Sequence, residues 1–228
     1  MSPDGVVLDH RDWGRRDYGD ALREMRDLRA ARRRGEIPDT LVLVEHPPVI
    51  TVGVQGLAGD VLPEGIPVFD VERGGHSTYH GPGQLVGYPI VDLTPRGRDV
   101  RRYVHDLEEV VIQSLAELSV SAGRVDGQRG VWVEGRRKIA SVGIAVEEWV
   151  AFHGFAVNVS TDLSVFHTFR PCGLSGDVMT SVARERGVPV RLDEFRGPVL
   201  RAWESVFQTT SNPPSAAASI SQVAPAAP

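Results

Sequence analysis

Residues 73–93 read RGGHSTYHGPGQLVGYPIVDL, and the two halves of this stretch make different demands. The second half, QLVGYPIVDL, is apolar and branched enough for a well-buried strand. The first half gathers Arg73, His76, Ser77, Thr78, Tyr79, His80 and Gln84 around Gly74, Gly75, Gly81 and Gly83. Glycine costs conformational entropy on folding, so such a density implies close backbone approach to something. Polar groups crowded on such a backbone describe a binding segment that feeds directly into a sheet. It is not a phosphate loop, because no G-x-x-x-x-G-K-[ST] occurs in the chain. His76 and His80 are four residues apart, but the glycines argue against a helix, so no two-histidine metal face and no metal is expected.

Working outward, VVLDH (6–10), TLVLVEH (40–46), VITVG (49–53) and IPVFDV (66–71) read as strands, with a break at His46-Pro47-Pro48. Downstream, GVWVEG (130–135), KIASVGIAVEEW (138–149) and AFHGFAVNV (151–159) are three strands close enough in sequence to be antiparallel. Tyr18, Leu22, Met25 and Leu28 recur at helical spacing, and Gly35 suits the end of that helix. Asp99 is placed to cap a second helix with Val100, Val104, Leu107, Val111, Leu115 and Leu118 on one face. Two more helices are expected over 178–186 and 193–207, with Pro198 a kink or a late start. Strands at both crossover and hairpin spacing describe an α/β chain, a mixed sheet with helices packed on it. Residues 1–208 read as a single catalytic domain, and 209–228 as a disordered tail without a core pattern.

The bulk numbers exclude several classes. Net charge is −5 over 228 residues, a poor match to a nucleic-acid partner. No apolar run approaches the ~20 residues of a membrane span, and the first ten residues carry acids where a signal peptide needs bases, so a cytoplasmic location is expected and no membrane partner. One cysteine excludes an internal disulfide and a cysteine-based zinc cage.

Two residues stand out by their rarity. Of 25 basic residues only Lys138 is a lysine. It is either a survivor of an arginine-rich composition or a position that needs a group able to lose its proton, which arginine cannot do. The lone Cys172 sits in RPCGLSGD, between Pro171 and Gly173, a turn-like and reachable context, although a free cysteine also serves as a small buried apolar residue. A free thiol with pKa ~8.5 is only about 3% thiolate at neutral pH, so a nucleophilic cysteine needs a partner. Lys138 opens one strand and Cys172 follows the next by a short loop, a spacing that allows adjacent antiparallel strands to bring the two side chains together without requiring it. GLSGD falls one glycine short of a serine-hydrolase elbow. His46 and His153 read equally as structural or functional.

Together, RGGHSTYHGPGQLVGYPIVDL, RRKIASVGI, FHGFAVNV and RPCGL, in this order and spacing, resemble the lipoyl(octanoyl) transferases, also called lipoate-protein ligase B. The resemblance runs from about His46 to the helix after Cys172. It implies a lipoate-ligase and biotin-ligase type of fold, with a large mixed sheet, a smaller sheet and flanking helices. It implies transfer of an octanoyl group from octanoyl-acyl carrier protein to a lysine of lipoyl domains, those of 2-oxoacid dehydrogenase E2 subunits and of glycine cleavage H protein, without a cofactor. Cys172 would be the acyl-thioester nucleophile and Lys138 would lower its pKa or accept its proton. The acyl pocket would comprise Arg73, Gly74, Gly75, His76, Ser77, Thr78, Tyr79 and His80, with Ser141, Val142, Gly143, Gly154, Phe155 and Ala156. An ATP-dependent lipoate or biotin ligase on the same fold and a cysteine thioesterase are the alternatives. An acidic carrier would need a local basic patch on this acidic enzyme, for which 32–34 and Arg101–Arg102 are candidates.

Overall fold

The computed structural model describes residues 8–57, 62–167 and 176–209. Cys172 and the tail beyond Thr209 therefore lie outside the described residues. Ten strands and four α-helices follow in the order β1 (Leu8–Arg15), α1 (Tyr18–Arg33), β2 (Asp39–Glu45), β3 (Val49–Val52), β4 (Val68–Asp70), β5 (Ser77–His80), β6 (Gln84–Asp92), α2 (Val100–Glu117), β7 (Gly123–Val125), β8 (Gln128–Val133), β9 (Arg137–Glu147), β10 (Val150–Asn158), α3 (Val182–Arg186) and α4 (Leu192–Thr209). A seven-stranded sheet has the order β1-β2-β6-β10-β9-β8-β7, and a three-stranded sheet has the order β4-β3-β5. Among the described strands only β1–β2 and β3–β4 pair in parallel. This is the mixed α/β arrangement with a large and a small sheet that the sequence predicts.

The faces of the large sheet follow from strand periodicity. Leu85, Val91, Val131, Val133, Ala151, Phe155 and Val157 point to one face and bury against Leu107, Val111, Leu115 of α2 and Phe195, Val199, Trp203 of α4. Val86, Tyr88, Ile90, Val150, Phe152 and Ala156 point to the other and meet Tyr18, Leu22, Met25 and Leu28 of α1. The α1 stripe is thus buried as its spacing predicts, with Asp17 Oδ1 capping the amide of Gly19 at 2.8 Å and Gly35 at φ +74 ending the helix. Asp99 caps α2 by accepting from the amide of Arg102 at 2.9 Å, whereas Val100 in its first turn is exposed rather than part of the apolar face.

Four elements depart from the sequence reading. β1 runs on to Arg15: it is an edge strand with alternating partial burial, so it carries no continuous apolar signal. β5 lies inside the glycine-rich segment, its four residues all buried although three are polar, and it pairs with β3 from Val49↔His80 to Val52↔Ser77. β7 is three residues long. The helix expected over 178–186 begins only at Val182, after the Ser181 cap, because Met179 is used as a bridge to Lys138 and the Thr180 amide donates to the Lys138 carbonyl at 2.9 Å. Helix α4 carries Pro198 in its interior. Among the described residues no helix is long and apolar enough to cross a membrane.

The centre of the large sheet is closed by glycines. A Cβ on Gly154 would stand 2.4 Å from both Gly87 O and Pro89 Cδ, and the ring of Phe155 occupies the space a Gly87 side chain would need. The obstruction at Gly154 includes backbone, which cannot swing away. Gly154→Ala is expected to lower stability by about 1–3 kcal/mol; an unchanged denaturation midpoint would show that β6 and β10 can separate there.

Candidate active site

A cavity of about 420 Å³ lies between the two sheets. Of the residues singled out in the sequence, it is lined by Arg73, Gly74, Gly75 and His76 from the turn before β5, by Thr78 and His80 of β5, by Lys138, Ser141, Val142 and Gly143 of β9, and by Gly154, Phe155 and Ala156 of β10. Ser77 and Tyr79 do not line it. They alternate with Thr78 and His80, so they face the other side of the small sheet, where Tyr79 packs edge-on against Phe166 with ring centroids 5.8 Å apart. Cys172 falls outside the described residues.

Lys138 reaches the cavity through a β-bulge. Val131 pairs with Ala140, but the next residue, Trp132, pairs with Lys138, so Ile139 is an extra residue in β9. Ile139 and Ala140 both sit in the core under α2 and α4. In an unbroken strand Lys138 would share the face of Ala140 and point into that core; the bulge turns it to the cavity face. There it is 6% exposed, with Nζ 5.4 Å from the centroid of its cross-strand neighbour Trp132. Gly130, at φ +104, makes room for the stem: a Cβ there would stand 2.9 Å from Lys138 Cε and 2.4 Å from Ala140 O.

Arg73 holds the opposite wall. Its buried guanidinium donates to the carbonyls of Gly74, His76 and Thr51 and to Thr51 Oγ1, at 2.8–3.1 Å. The Gly74 amide donates to Ile144 O at 2.8 Å and so fastens this turn to β9. That amide is engaged, and it offers no donor to a bound ligand.

Besides His76, the buried His46, His80 and His153 border the cavity or its floor, and burial pushes the pKa of these three down, that of His80 to about 3. His46 Nδ1 donates to Arg16 O and its Nε2 accepts from the Tyr88 hydroxyl, both at 2.8 Å. His153 has φ +57, which sends its ring to the same side as Phe152, with centroids 5.0 Å apart. Its Nε2 donates to Glu72 Oε2 at 3.2 Å. Sequence reasoning left His46 and His153 undecided and missed Tyr18, Tyr88, Gln55, Trp132 and the 127–129 wall. Trp132 stands opposite Lys138 only because of the bulge in β9, which strand alternation does not signal. Among the described residues no group of three or more His, Cys, Asp or Glu side chains could hold a metal ion.

The basic runs are largely neutralised. Arg32 pairs with Asp39 at 2.8 Å, Arg33 with Glu148 at 3.6 Å, Arg34 with Glu36 at 2.6 Å, and Arg102 with Asp106 at 3.8 Å.

Comparison with known proteins bears on the family and the fold. The family model of the lipoyl protein ligase A/B catalytic domain matches residues 17–204. A probable octanoyltransferase of Pyrobaculum calidifontis is 50% identical over 197 residues, covering 86% of this chain and 84% of that protein. The octanoyltransferase of Geobacter metallireducens is 46% identical over 186 residues, covering 82% and 87%. The chain belongs to the octanoyltransferase family. Its fold is that of the lipoate ligases: a bipartite lipoate protein ligase from Thermoplasma acidophilum, solved in a study of that ligase and its E2 lipoyl domain, superposes with TM-score 0.68 at 19% identity, over 88% of this chain and 84% of that one. At that identity the likeness shows the fold alone. The family assignment does not favour the ATP-dependent ligase or the thioesterase.

The His153–Glu72 contact carries a pH signature. The hydrogen bond from His153, with Arg26 adding to it, holds the Glu72 carboxyl down to about 2 from an ordinary 4.5. The unfolded chain therefore takes up this proton first on acidification. The stabilisation is complete above the unfolded value and fades as pH falls towards about 2. Glu72→Gln is expected to flatten the acid limb of denaturation midpoint against pH; an unchanged limb would remove Glu72 from acid sensitivity.

Proposed function

We propose that this protein transfers an octanoyl group from octanoyl-acyl carrier protein to a lysine of lipoyl domains, through a thioester on Cys172, as a single catalytic domain. The carrying observation is the bulge that turns the chain's only lysine out of the core and into the cavity. Family membership supports the acyl group and the lipoyl-domain acceptors. The described segment that follows Cys172 in sequence supports the pairing of the two residues, because Met179 bridges to Lys138. The acceptors are the lipoyl domains of 2-oxoacid dehydrogenase E2 subunits and of glycine cleavage H protein.

In the first step the Cys172 thiol attacks the donor thioester. A carbon–sulfur bond forms to Cys172, the bond to the carrier breaks, and the thiol proton passes through the Lys138 amine to the departing carrier thiolate. One thioester replaces another, so no nucleotide is required. In the second step the acceptor amine attacks, the Cys172 carbon–sulfur bond breaks and an amide forms. The amine proton passes through Lys138 to the Cys172 thiolate. A free lysine with pKa ~10.4 is neutral only about 0.04% of the time at pH 7, so a nearby proton acceptor is needed. Trp132 and Gly130 fix the Lys138 stem, and the cavity walls exclude water from the acyl chain.

Intact-mass measurement after mixing the protein with octanoyl-acyl carrier protein, without ATP or metal, is expected to show one octanoyl adduct. Cys172→Ser should abolish turnover with the fold retained; full activity in that variant would end the covalent mechanism. Lys138→Arg keeps the charge but cannot relay a proton. It is expected to lose about 10²–10⁴-fold, nearly as much as Lys138→Ala. Near wild-type rates for both half-reactions in Lys138→Arg would reduce Lys138 to a fixed charge.

A further inference from the structure

A row of polar side chains crosses the cavity face of the large sheet where Lys138 stands. Gln84 on β6 and Asn158 on β10 are register partners, and the same row reaches the start of β9. Both lie on the face of Val86 and Ala156, which is the cavity face. Both are buried and hydrogen-bonded. Gln84 Nε2 donates to Tyr79 O at 3.2 Å and to Asn158 Oδ1 at 3.0 Å. Asn158 Nδ2 donates to Thr180 O at 3.1 Å. The Thr180 amide in turn donates to the carbonyl of Lys138 at 2.9 Å.

This chain leaves no freedom in the assignment of its atoms. Backbone carbonyls only accept, so both carboxamides are fixed in orientation by Tyr79 O and Thr180 O. Gln84 must then present Oε1 to His80, whose Nδ1 lies 2.8 Å away. The proton of the neutral imidazole is therefore on Nδ1. Among the described residues the only hydrogen bond of the ring is the one at Nδ1, and the ring lines the cavity. The groups facing the ring are Tyr18 from α1, His46 after β2, Arg73 and His153. Burial, with Arg73 and the other histidines adding to it, keeps the ring uncharged.

We infer that His80 acts as a fixed hydrogen-bond acceptor for the incoming lysine amine, through Nε2, and that Gln84 and Asn158 are positioning residues that set its tautomer and tie it to the Lys138 backbone. His80 orients an N–H of the amine and takes no proton; the proton goes to Lys138. The inference rests on the octanoyl-transfer reading for the identity of the amine, but not for the tautomer. A buried row that spends two carboxamides on aiming one ring is difficult to account for by packing alone, since an apolar row would fill the same space without desolvating polar groups.

The tautomer is read directly by long-range nitrogen–proton correlation NMR on the full chain labelled at histidine, with His80→Asn used to assign its signals. His80 should show the Nδ1–H form and stay neutral down to pH 5. An Nε2–H tautomer, or a ring protonated at neutral pH, would overturn the inference. The carboxamide of His80→Asn can still donate to Gln84 but offers no acceptor at the Nε2 position. In single turnover it should slow transfer from acyl-enzyme to a lipoyl-domain lysine by about tenfold or more relative to acyl-enzyme formation. Equal slowing of both half-reactions, or none, would leave His80 as packing only. Gln84→Leu should mix the tautomers and reproduce the selective defect, and the double variant should lose no more than His80→Asn alone. If the wild type forms no octanoyl adduct, the reading of the reaction fails, while the NMR result still decides the tautomer.

Discussion

The buried charge of Arg73 is the constraint around which the cavity is arranged. A guanidinium taken out of water must recover its lost hydration from the protein, and Arg73 does so from three carbonyls and a hydroxyl supplied by β3 and by its own turn. Gly53 is required beside it, since a Cβ there would meet the Arg73 and Gly75 carbonyls at 2.7 and 2.4 Å, and Gly143 leaves it room, since a Cβ there would crowd Arg73 Cδ at 3.1 Å. The same charge opposes protonation of His80 and His153. The cavity therefore has a cationic anchor in one wall and uncharged, hydrogen-bonding rings in the others.

Much of this was legible in the residues, and the limits have physical causes. Buried helices announced themselves, since Tyr18, Leu22, Met25 and Leu28 recur at a period only a helix uses. The central strands did the same through continuous branched apolar runs. β5 was invisible because Ser77, Thr78 and His80 carry no strand-like hydrophobicity; what holds the segment is its pairing with β3 and the His80–Gln84 hydrogen bond. The extent of β1 was hidden because an edge strand needs only partial apolar character. The pocket segment was recognised as a block, yet Ser77 and Tyr79 were assigned to the cavity along with their neighbours. Once the block is a strand, half of it must face elsewhere.

The most consequential feature missed was the bulge at Ile139. Regular alternation through KIASVGIAVEEW sets Lys138 on the face of Ala140 and Val142, with the apolar core. No residue in the run warns of the extra position, because Ile139 is as strand-like as its neighbours. The clue was chemical: the one lysine of an arginine-rich chain would have been buried among leucines and valines had the strand been regular. The lipoate ligases share the fold at under 20% identity to the Thermoplasma protein, so the sheet order is more permissive than the residues it presents.

The hydrogen-bonded pairing of β5 with β3 also bears on how this region can diverge. The segment from Arg73 to Gln84 is anchored at its start by the guanidinium, in its middle by four register pairs and at its end by the Gln84 carboxamide. Adding or deleting one residue between the first and last anchors would exchange the two faces of β5, handing Ser77 and Tyr79 to the cavity and withdrawing Thr78 and His80. Side chains in such a segment can change one at a time, but its length cannot. Variation in loop length among relatives is accordingly expected to fall outside it.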